Sequence, residues 1–572
     1  MRRSHGSAGR RTVRRREFLQ VAAVGTVGSL LAACSAAPPP SSGNATPGSS
    51  ANATPGRAPA GAAAPAGARP TEWSVVLGEP TGGGDPLTEY GTSAEYYLQK
   101  HVVEGLLHAE LLPDGKSWGV VNDLAEQWSF PDSHTFLVEL RKGVQFHNGE
   151  ELTSAHVEYA YNSLVNRDKP GRRTLLVKPL GKLEVVDKYT VRWHMPEPDL
   201  TILGSLYGLT IPALARKNMS AAEFEAKPIG TGPYRAIEWE RDGTVRLEAW
   251  DGYRLGKPFP AKLTVRPIPE ASTRLLELLA GSAQIAQAIP IETLPSIQAD
   301  PKLDLVSLQG SSAPSYVINI FKTSPPLRDK RVRQAMNYAV DRDAIVKSIL
   351  GGRGAPLPGP LSPGWLGYTD DVKPYPYDPD KARALLAEAG YPNGFAFDWT
   401  VTQGVYVKDA EVAQAVASQL ARVGIQANLQ IRERARLLAE RSEGSYDVTE
   451  LNWPVRWIPT STFTFTVDAA YPDRNLAPKW GDAPPELVKA RKLMQDAGAA
   501  SSIEQMGRAY AKLNRHMHDE AFWLYVQRVD DLWGIQQATG WRPYPSDYPV
   551  YYDRWALLGK QAPTASTVPL IP

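Results

Sequence analysis

A chain of 572 residues is too long for one hydrophobic core and predicts at least two lobes. Hydrophobic residues make up 42% and charged residues 22%, an ordinary globular balance, and no apolar run reaches the roughly 18–20 residues that span a bilayer. The formal charge of +2 conceals an acidic body: seven arginines and one glutamate fall in residues 1–33, leaving 56 bases against 60 acids beyond them. That balance argues against the basic face a nucleic-acid binder needs. With Cys34 as its single cysteine, the chain has no internal disulfide framework.

The leader comes first. Arg14-Arg15-Arg16-Glu17-Phe18-Leu19-Gln20 resembles a twin-arginine export signal, with Arg15 and Arg16 as the pair. The apolar run from Val21 to Ala33 is too short to span and reads as a signal core. It ends Leu31-Ala32-Ala33-Cys34, which resembles a lipobox, so that cleavage leaves a lipidated Cys34. The alternative is a soluble substrate of the same route, cut within the following Ala-rich tract. Residues 34–70 are rich in Ala, Pro, Gly, Ser and Thr, contain Asn-Ala-Thr-Pro-Gly twice, and read as a disordered tether. As a coil it spans on the order of 30–40 Å.

The first lobe opens with a strand at Trp73–Leu77, a Gly/Pro-rich loop to Thr92, and a helix expected from Ser93 through Leu107. Gly82-Gly83-Gly84 is no phosphate loop, because no Gly-Lys-Ser/Thr follows at the required spacing. Gly115-Lys116-Ser117 fails too, with Glu110 where the first glycine must stand. Phe136, Val138 and Leu140 alternate as a strand, and Thr153 or Ser154 caps a helix with Val157, Ala160, Tyr161 and Leu164 inward. His156 reads as a surface position on that helix. Gly230-Thr-Gly-Pro-Tyr234 reads as a tight structural turn before a strand. Residues 275–290 read as a helix, strand and loop.

Residues 316–350 carry the most information. A strand around Val317, Ile318 and Ile320 is stopped by Pro325-Pro326. Asp329 caps a helix with Val332, Ala335, Met336, Ala339 and Val340 on one face, and Asp341 starts a second helix ended by Gly351-Gly352. Further on, Asp378 and Pro379 start a helix ended by Gly390, a helix runs from about Asp409 to Val423, and Ile425–Ile431 is a strand. His516-Met517-His518-Asp519 is no metal motif, since residues two apart on a helix face different ways. Residues 521–535 read as a strand crossing back to the first lobe.

Taken together, "VEGLLH" (103–108), "GTGPY" (230–234), "PPLRDKRVRQAMNYAVDRDAIV" and "YDPDKARALLAEAG" resemble the family 5 solute-binding proteins, extracytoplasmic receptors of oligopeptide, dipeptide and nickel ABC importers. The resemblance runs from about Trp73 to Trp555. It implies an α/β clamshell of the large three-subdomain periplasmic-binding type, with hinge strands between the lobes. The implied division is a signal peptide (1–33), a tether (34–70), lobe I (71–313, with an extra subdomain at about 116–225), lobe II (314–526), a return segment of lobe I (527–560) and a tail (561–572). It also implies a monomer, anchored through Cys34, that hands a small solute to the transmembrane subunits of an ABC permease. No enzyme activity, cofactor or metal is implied.

In peptide-binding relatives the strand matching residues 446–453 ends in a Trp, and an Asp three residues later holds the ligand's ammonium. Here Trp453 matches the Trp, but Arg456 stands in place of the Asp. A guanidinium repels an ammonium and pairs bidentately with a carboxylate or phosphate, so the ligand is expected to present an anionic or polar group. Internal pairing of Arg456 with Glu450 or Asp468 is the alternative. Trp457 and Trp365 are candidate apolar walls, and Asn319 and Tyr90 complete the candidate contacts. The competing functions are peptide binding by strand addition, binding of an oligosaccharide, and a tethered hydrolase for which no catalytic motif stands out.

Overall fold

The computed structural model describes residues 69–88, 93–111, 118–167, 172–320, 325–403, 406–454, 483–543, 551–557 and 559. The leader, the tether up to residue 68, Tyr90, Arg456 and Trp457 lie outside these residues.

Eighteen strands are described. The first half of the molecule holds β1 (Glu72–Leu77), β2 (Leu107–Leu111), β3 (Trp118–Asn122), β4 (Ala125–Asp132), β5 (Thr135–Leu140), β6 (Lys182–Asp187), β7 (Thr190–His194), β8 (Tyr234–Trp239), β9 (Val245–Ala249), β10 (Lys262–Pro267) and β11 (Ile285–Gln287). The second holds β13 (Gly354–Pro356), β14 (Phe395–Val401), β15 (Ile425–Ile431), β16 (Val448–Pro454) and β17 (Trp523–Leu524). Two long strands run between the halves, β12 (Leu303–Ile318) and β18 (Gln527–Gln536).

One sheet spans both halves in the order β15-β14-β16-β12-β18-β11-β1-β10-β9-β8. Its outer portions are parallel where β14 meets β15 and β16, and where β1 meets β10 and β11. The long strand β12 changes partner along its length. Leu303–Leu308 pairs with β18, the register breaks before Ser312, and Ser312–Ile318 pairs with β16. The chain therefore passes from one half to the other along β12 and returns along β18, the two-lobed arrangement expected of a clamshell. A separate antiparallel sheet, β4-β5-β7-β6, is inserted between β3 and β8. One apolar core unites Val75, Tyr234, Val265 and Trp533; another unites Tyr316, Trp399, Val416 and Trp523, and reaches Phe136 and Trp193 of the inserted sheet.

Local sequence explains the helix ends. Asp329 accepts from Arg331 N, Asp341 from Ala344 N at 2.9 Å, and Asp378 from Lys381 N with Pro379 following. Gly351, Gly352 and Gly390 all take positive φ, as the stops require.

Three expectations need correction. The first helix covers Ser93–Val102, not Ser93–Leu107. Its Val102 carbonyl accepts from Gly232 N at 2.9 Å, and Leu107 is already strand. The strand read around Tyr316 starts thirteen residues earlier, at Leu303. His156 is buried rather than on the surface. Its ring stacks on Phe146 at 4.5 Å, accepts from Thr153 N at 3.2 Å and meets Glu150 Oε2 at 3.2 Å. It is the third residue of the helix Ser154–Val165, where an acidic capping partner commonly sits.

Candidate functional site

In open α/β sheets, ligands bind beyond the carboxyl ends of parallel strands. Here those ends face each other across the junction made by β12 and β18. Glu79 follows β1; Thr402 and Tyr406 follow β14; Arg434 follows β15. The two sides touch at Lys408 Nζ and Glu292 Oε2, 3.4 Å apart.

The charges in this cleft are mixed. Glu79 Oε2 lies 3.4 Å from Ala94 N, at the start of the helix Ser93–Val102. Asp531, on β18, accepts from Trp533 Nε1 at 2.9 Å. Burial lifts the Asp531 carboxyl to about 6, helped by the neighbouring charges of Glu79 and Asp530. On the opposite wall, burial pushes the Tyr406 hydroxyl up to about 12. The charges acting on Tyr406 are Arg434 and Glu450 from its own half, Glu79 from the other, and Arg441. Glu450 on β16 is buried, and its Oε2 accepts from Thr402 N at 3.0 Å and Thr402 Oγ1 at 2.7 Å.

The sequence-predicted contacts do not all converge. Trp453 lies near the end of β16, opposite Ala313. Asn319 lies beyond the other end of that strand: its Nδ2 donates to the Gly444 and Tyr446 carbonyls at 3.1 and 3.0 Å, and its N–H to Asp447 O. Six residues of β16 separate the two ends, about 20 Å. Asn319 therefore ties down the turn that enters β16, at the end away from Trp453. Trp365 is 3% exposed within the core of the second half, and its indole Nε1 has no hydrogen-bond partner among the described residues. Glu450 does not await Arg456 with both oxygens free, since Thr402 takes one of them.

Glu79, Asp531, Tyr406 and Arg434 were not singled out from sequence. Each is one polar residue just past or within a strand, and nothing local distinguishes it from other loop residues. His516 Nε2 donates to the Glu486 carbonyl at 2.7 Å, and His518 packs against Tyr375.

Comparison with known proteins adds the following. The model of the bacterial extracellular solute-binding proteins, family 5 Middle, matches residues 119–475. The glutathione-binding protein GsiB of Pectobacterium atrosepticum is 33% identical over 332 residues, 57% of this chain and 63% of that protein. The match thus spans under two thirds of that relative's length. Heme-binding protein A of Haemophilus influenzae is 27% identical over 468 residues, 75% of this chain and 83% of that protein. Among solved structures, the periplasmic binding protein DppA of Helicobacter pylori, in complex with the peptide STSA, superposes with a TM-score of 0.70 at 23% identity, covering 85% of this chain and 97% of that one.

Proposed function

Since the chain belongs to the family 5 bacterial extracellular solute-binding proteins, we propose that it is a receptor that closes its two halves on a small solute and delivers it to an ABC importer. The observation that carries this reading is the pair of crossing strands. The halves are joined through β12 and β18, and rotation at those strands is the motion that opens and closes the cleft. Closure is a population shift, and a ligand supports it only as far as it prefers the closed form. The geometry asks for binding groups and uses no nucleophile, so the reading is a receptor and not an enzyme.

The names of similar proteins span glutathione, heme and a peptide, so the solute class is argued from this chain's own residues. Trp453 near the end of β16, and Arg456 and Trp457 following it in sequence, are the proposed contacts. Arg456 favours a carboxylate or phosphate on the ligand over a free ammonium. A peptide-like solute with an anionic group fits, and Glu79 and Asp531 on the facing wall suit its polar or cationic portion. Export by the Arg15-Arg16 signal and anchoring through lipidated Cys34 place the receptor outside the cytoplasm, on a tether long enough to reach a permease. Cys34→Ser is expected to move the protein from the membrane to the soluble extracytoplasmic fraction.

A thermal-shift screen against glutathione, short peptides, oligosaccharides and small organic acids tests the reading. A ligand at about 100 times its Kd adds roughly 2.7 kcal/mol to the folded state. A shift by an anionic solute that Arg456→Ala abolishes supports both receptor and anchor. A shift confined to peptides with free amino termini overturns the role of Arg456, and turnover of the bound solute overturns the receptor.

A further inference from the structure

The loops that follow β5 and β9 enclose a cavity of about 350 Å³ between the inserted sheet and the first half. Arg141, Gly143 and Gln145 come from the first loop, Trp250 and Arg254 from the second, and Thr231 from the turn before β8. Strand direction sets this cavity apart from the cleft. β1 and β10 run parallel, β9 runs antiparallel to β10, and β8 antiparallel to β9. The end of β9 and the start of β8 therefore lie at the edge of the sheet opposite the carboxyl end of β1.

Two guanidinium groups are held here by one residue, Asp123. Arg141 Nε donates to the Asp123 carbonyl at 2.8 Å, and its Nη1 to Glu126 Oε2 at 2.6 Å. Arg254 Nη2 donates to Asp123 Oδ1 at 3.4 Å and to Glu104 Oε1 at 2.9 Å. Arg141 Nη2 and Arg254 Nη1 are left without an acceptor among the described residues. Arg254 Nε is sealed, whereas its Nη1 stays accessible. Each arginine is thus oriented by part of its fork and keeps one terminal N–H group unspent.

The acids behind the cavity are matched. Glu104 pairs with Arg254, and Asp123 has His108 Nδ1 2.9 Å from its Oδ1, with Arg554 Nη2 3.2 Å from His108 Nε2. At the mouth stand Arg141, Lys142 and Arg235, the last with its guanidinium 5.6 Å from the centre of the Trp250 ring, against the one carboxylate of Glu126. The mouth therefore carries an excess of positive charge, which draws anions. A Cβ on Gly143 would meet nothing within 4 Å, so the approach on that side is unobstructed.

We propose that this cavity is a second binding site, outside the cleft, for a small organic oxyanion that places one oxygen on Arg141 Nη2 and another on Arg254 Nη1. Paired guanidinium groups suit a carboxylate or a phosphate ester. The volume sits at the lower end of ligand pockets, which run from roughly 300 to 1,000 Å³, and leaves room for a body of a few carbon atoms beside the head group. An anion so held joins the loop after β5 to the loop after β9 and fastens the inserted sheet to the first half. The site is independent of the solute that the cleft takes.

Calorimetry of the full chain at low salt, with citrate and with inorganic phosphate as probes, tests the site. The wild type is expected to bind at least one of them saturably, one per chain, with a Kd below about 10 mM that weakens as salt is added. Arg141→Gln removes one of the two donors and is expected to weaken binding at least about tenfold. Gln145→Glu puts a like charge in the wall and is expected to weaken it too. Gln145 is exposed, so this second variant keeps the test decisive if Arg141→Gln folds poorly. Binding of citrate alone marks a carboxylate site, and binding of phosphate alone a phosphate-ester site. A wild type that binds neither probe overturns the proposal. So does binding that either variant retains in full, because the anion then sits elsewhere.

Discussion

Gly498 ends the helix Pro485–Gly498 at the place where the inserted sheet's flank touches the second half of the molecule. Its carbonyl accepts from Leu200 N at 2.8 Å, and a Cβ on it would lie 3.0 Å from Asp199 Oδ1. That oxygen is not free to step aside, because Thr201 N and Oγ1 hold it at 2.9 and 2.5 Å. In Gly498→Val the hydrogen bond is lost, at about 1 kcal/mol, and two methyls enter filled space, at about 1–3 kcal/mol. Better helix propensity returns only about 0.3 kcal/mol. The net is about 2–4 kcal/mol. By chain connection, residues 199–203 belong with the first half and the helix with the second, far along the chain from β12 and β18. The cost therefore falls on the closed arrangement rather than on either core. At about 1.4 kcal/mol per tenfold, closure is disfavoured roughly 30–700-fold. Small-angle scattering should show an expanded ligand-free protein, and calorimetry with the solute found by screening should show Kd weakened by a similar factor. Adding Asp199→Ala should recover most of the loss. Unchanged dimensions and affinity in Gly498→Val, or a double variant no better than the single, would refute the interlobe role of this contact.

Two further outcomes are expected. Arg342 is buried and donates to the carbonyls of Tyr525, Asn337, Val340 and Tyr375, and to Asn337 Oδ1, at 2.7–3.0 Å; Arg342→Leu takes its donor from four carbonyls and leaves Asn337 Oδ1 with Tyr525 N alone, and should cost more than about 4 kcal/mol, read as a lower urea midpoint at unchanged slope. Asp531 is held at about 6 in the fold against an ordinary 3.8, so the wild type loses stability as the pH rises through that interval; Asp531→Asn should remove this step from a melting profile, and a retained step would count against burial of that carboxyl.

What could be read from sequence was what is encoded locally. The helix Pro379–Glu388 was legible because Asp378, Pro379 and Gly390 set both ends within a dozen residues. The start of β12 was not, because residues 303–312 alternate poorly and are held in the sheet by β18, more than 200 residues away. The first helix stops five residues short of its apolar pattern because Gly232 claims the Val102 carbonyl from outside the segment. The cleft was legible only as a loop with an inverted charge. Glu450 meets Thr402 across 48 residues, and Glu79 acts on Tyr406 from the other half of the chain. Periodicity carries no information about such pairs. Asn319 shows the same limit: being near a candidate strand in sequence says nothing about which end of its partner it meets.

The Gly230-Thr-Gly-Pro-Tyr box shows how such a motif can be structural without holding a ligand. A Cβ on Gly230 would fall on the Val102 carbonyl oxygen, and one on Gly232 would meet His101 O at 2.6 Å. Both glycines thus let one backbone lie against the end of the helix Ser93–Val102, where Gly232 N donates to Val102 O. Neither has a positive φ, so what they supply is room rather than conformational freedom. Gly149 is the contrasting case: nothing lies within 4 Å of its Cβ position, but its φ is +86°. Gly149→Ala should cost only the left-handed strain of an L-residue, about 1–2 kcal/mol. Gly230→Ala must push two backbones apart and should cost more than about 3 kcal/mol. Urea denaturation of the two variants ranks them directly. If Gly149→Ala proved the more damaging, or if Gly230→Ala kept full stability and lost only solute binding, the box would be a ligand element and not the joint that seats the first helix.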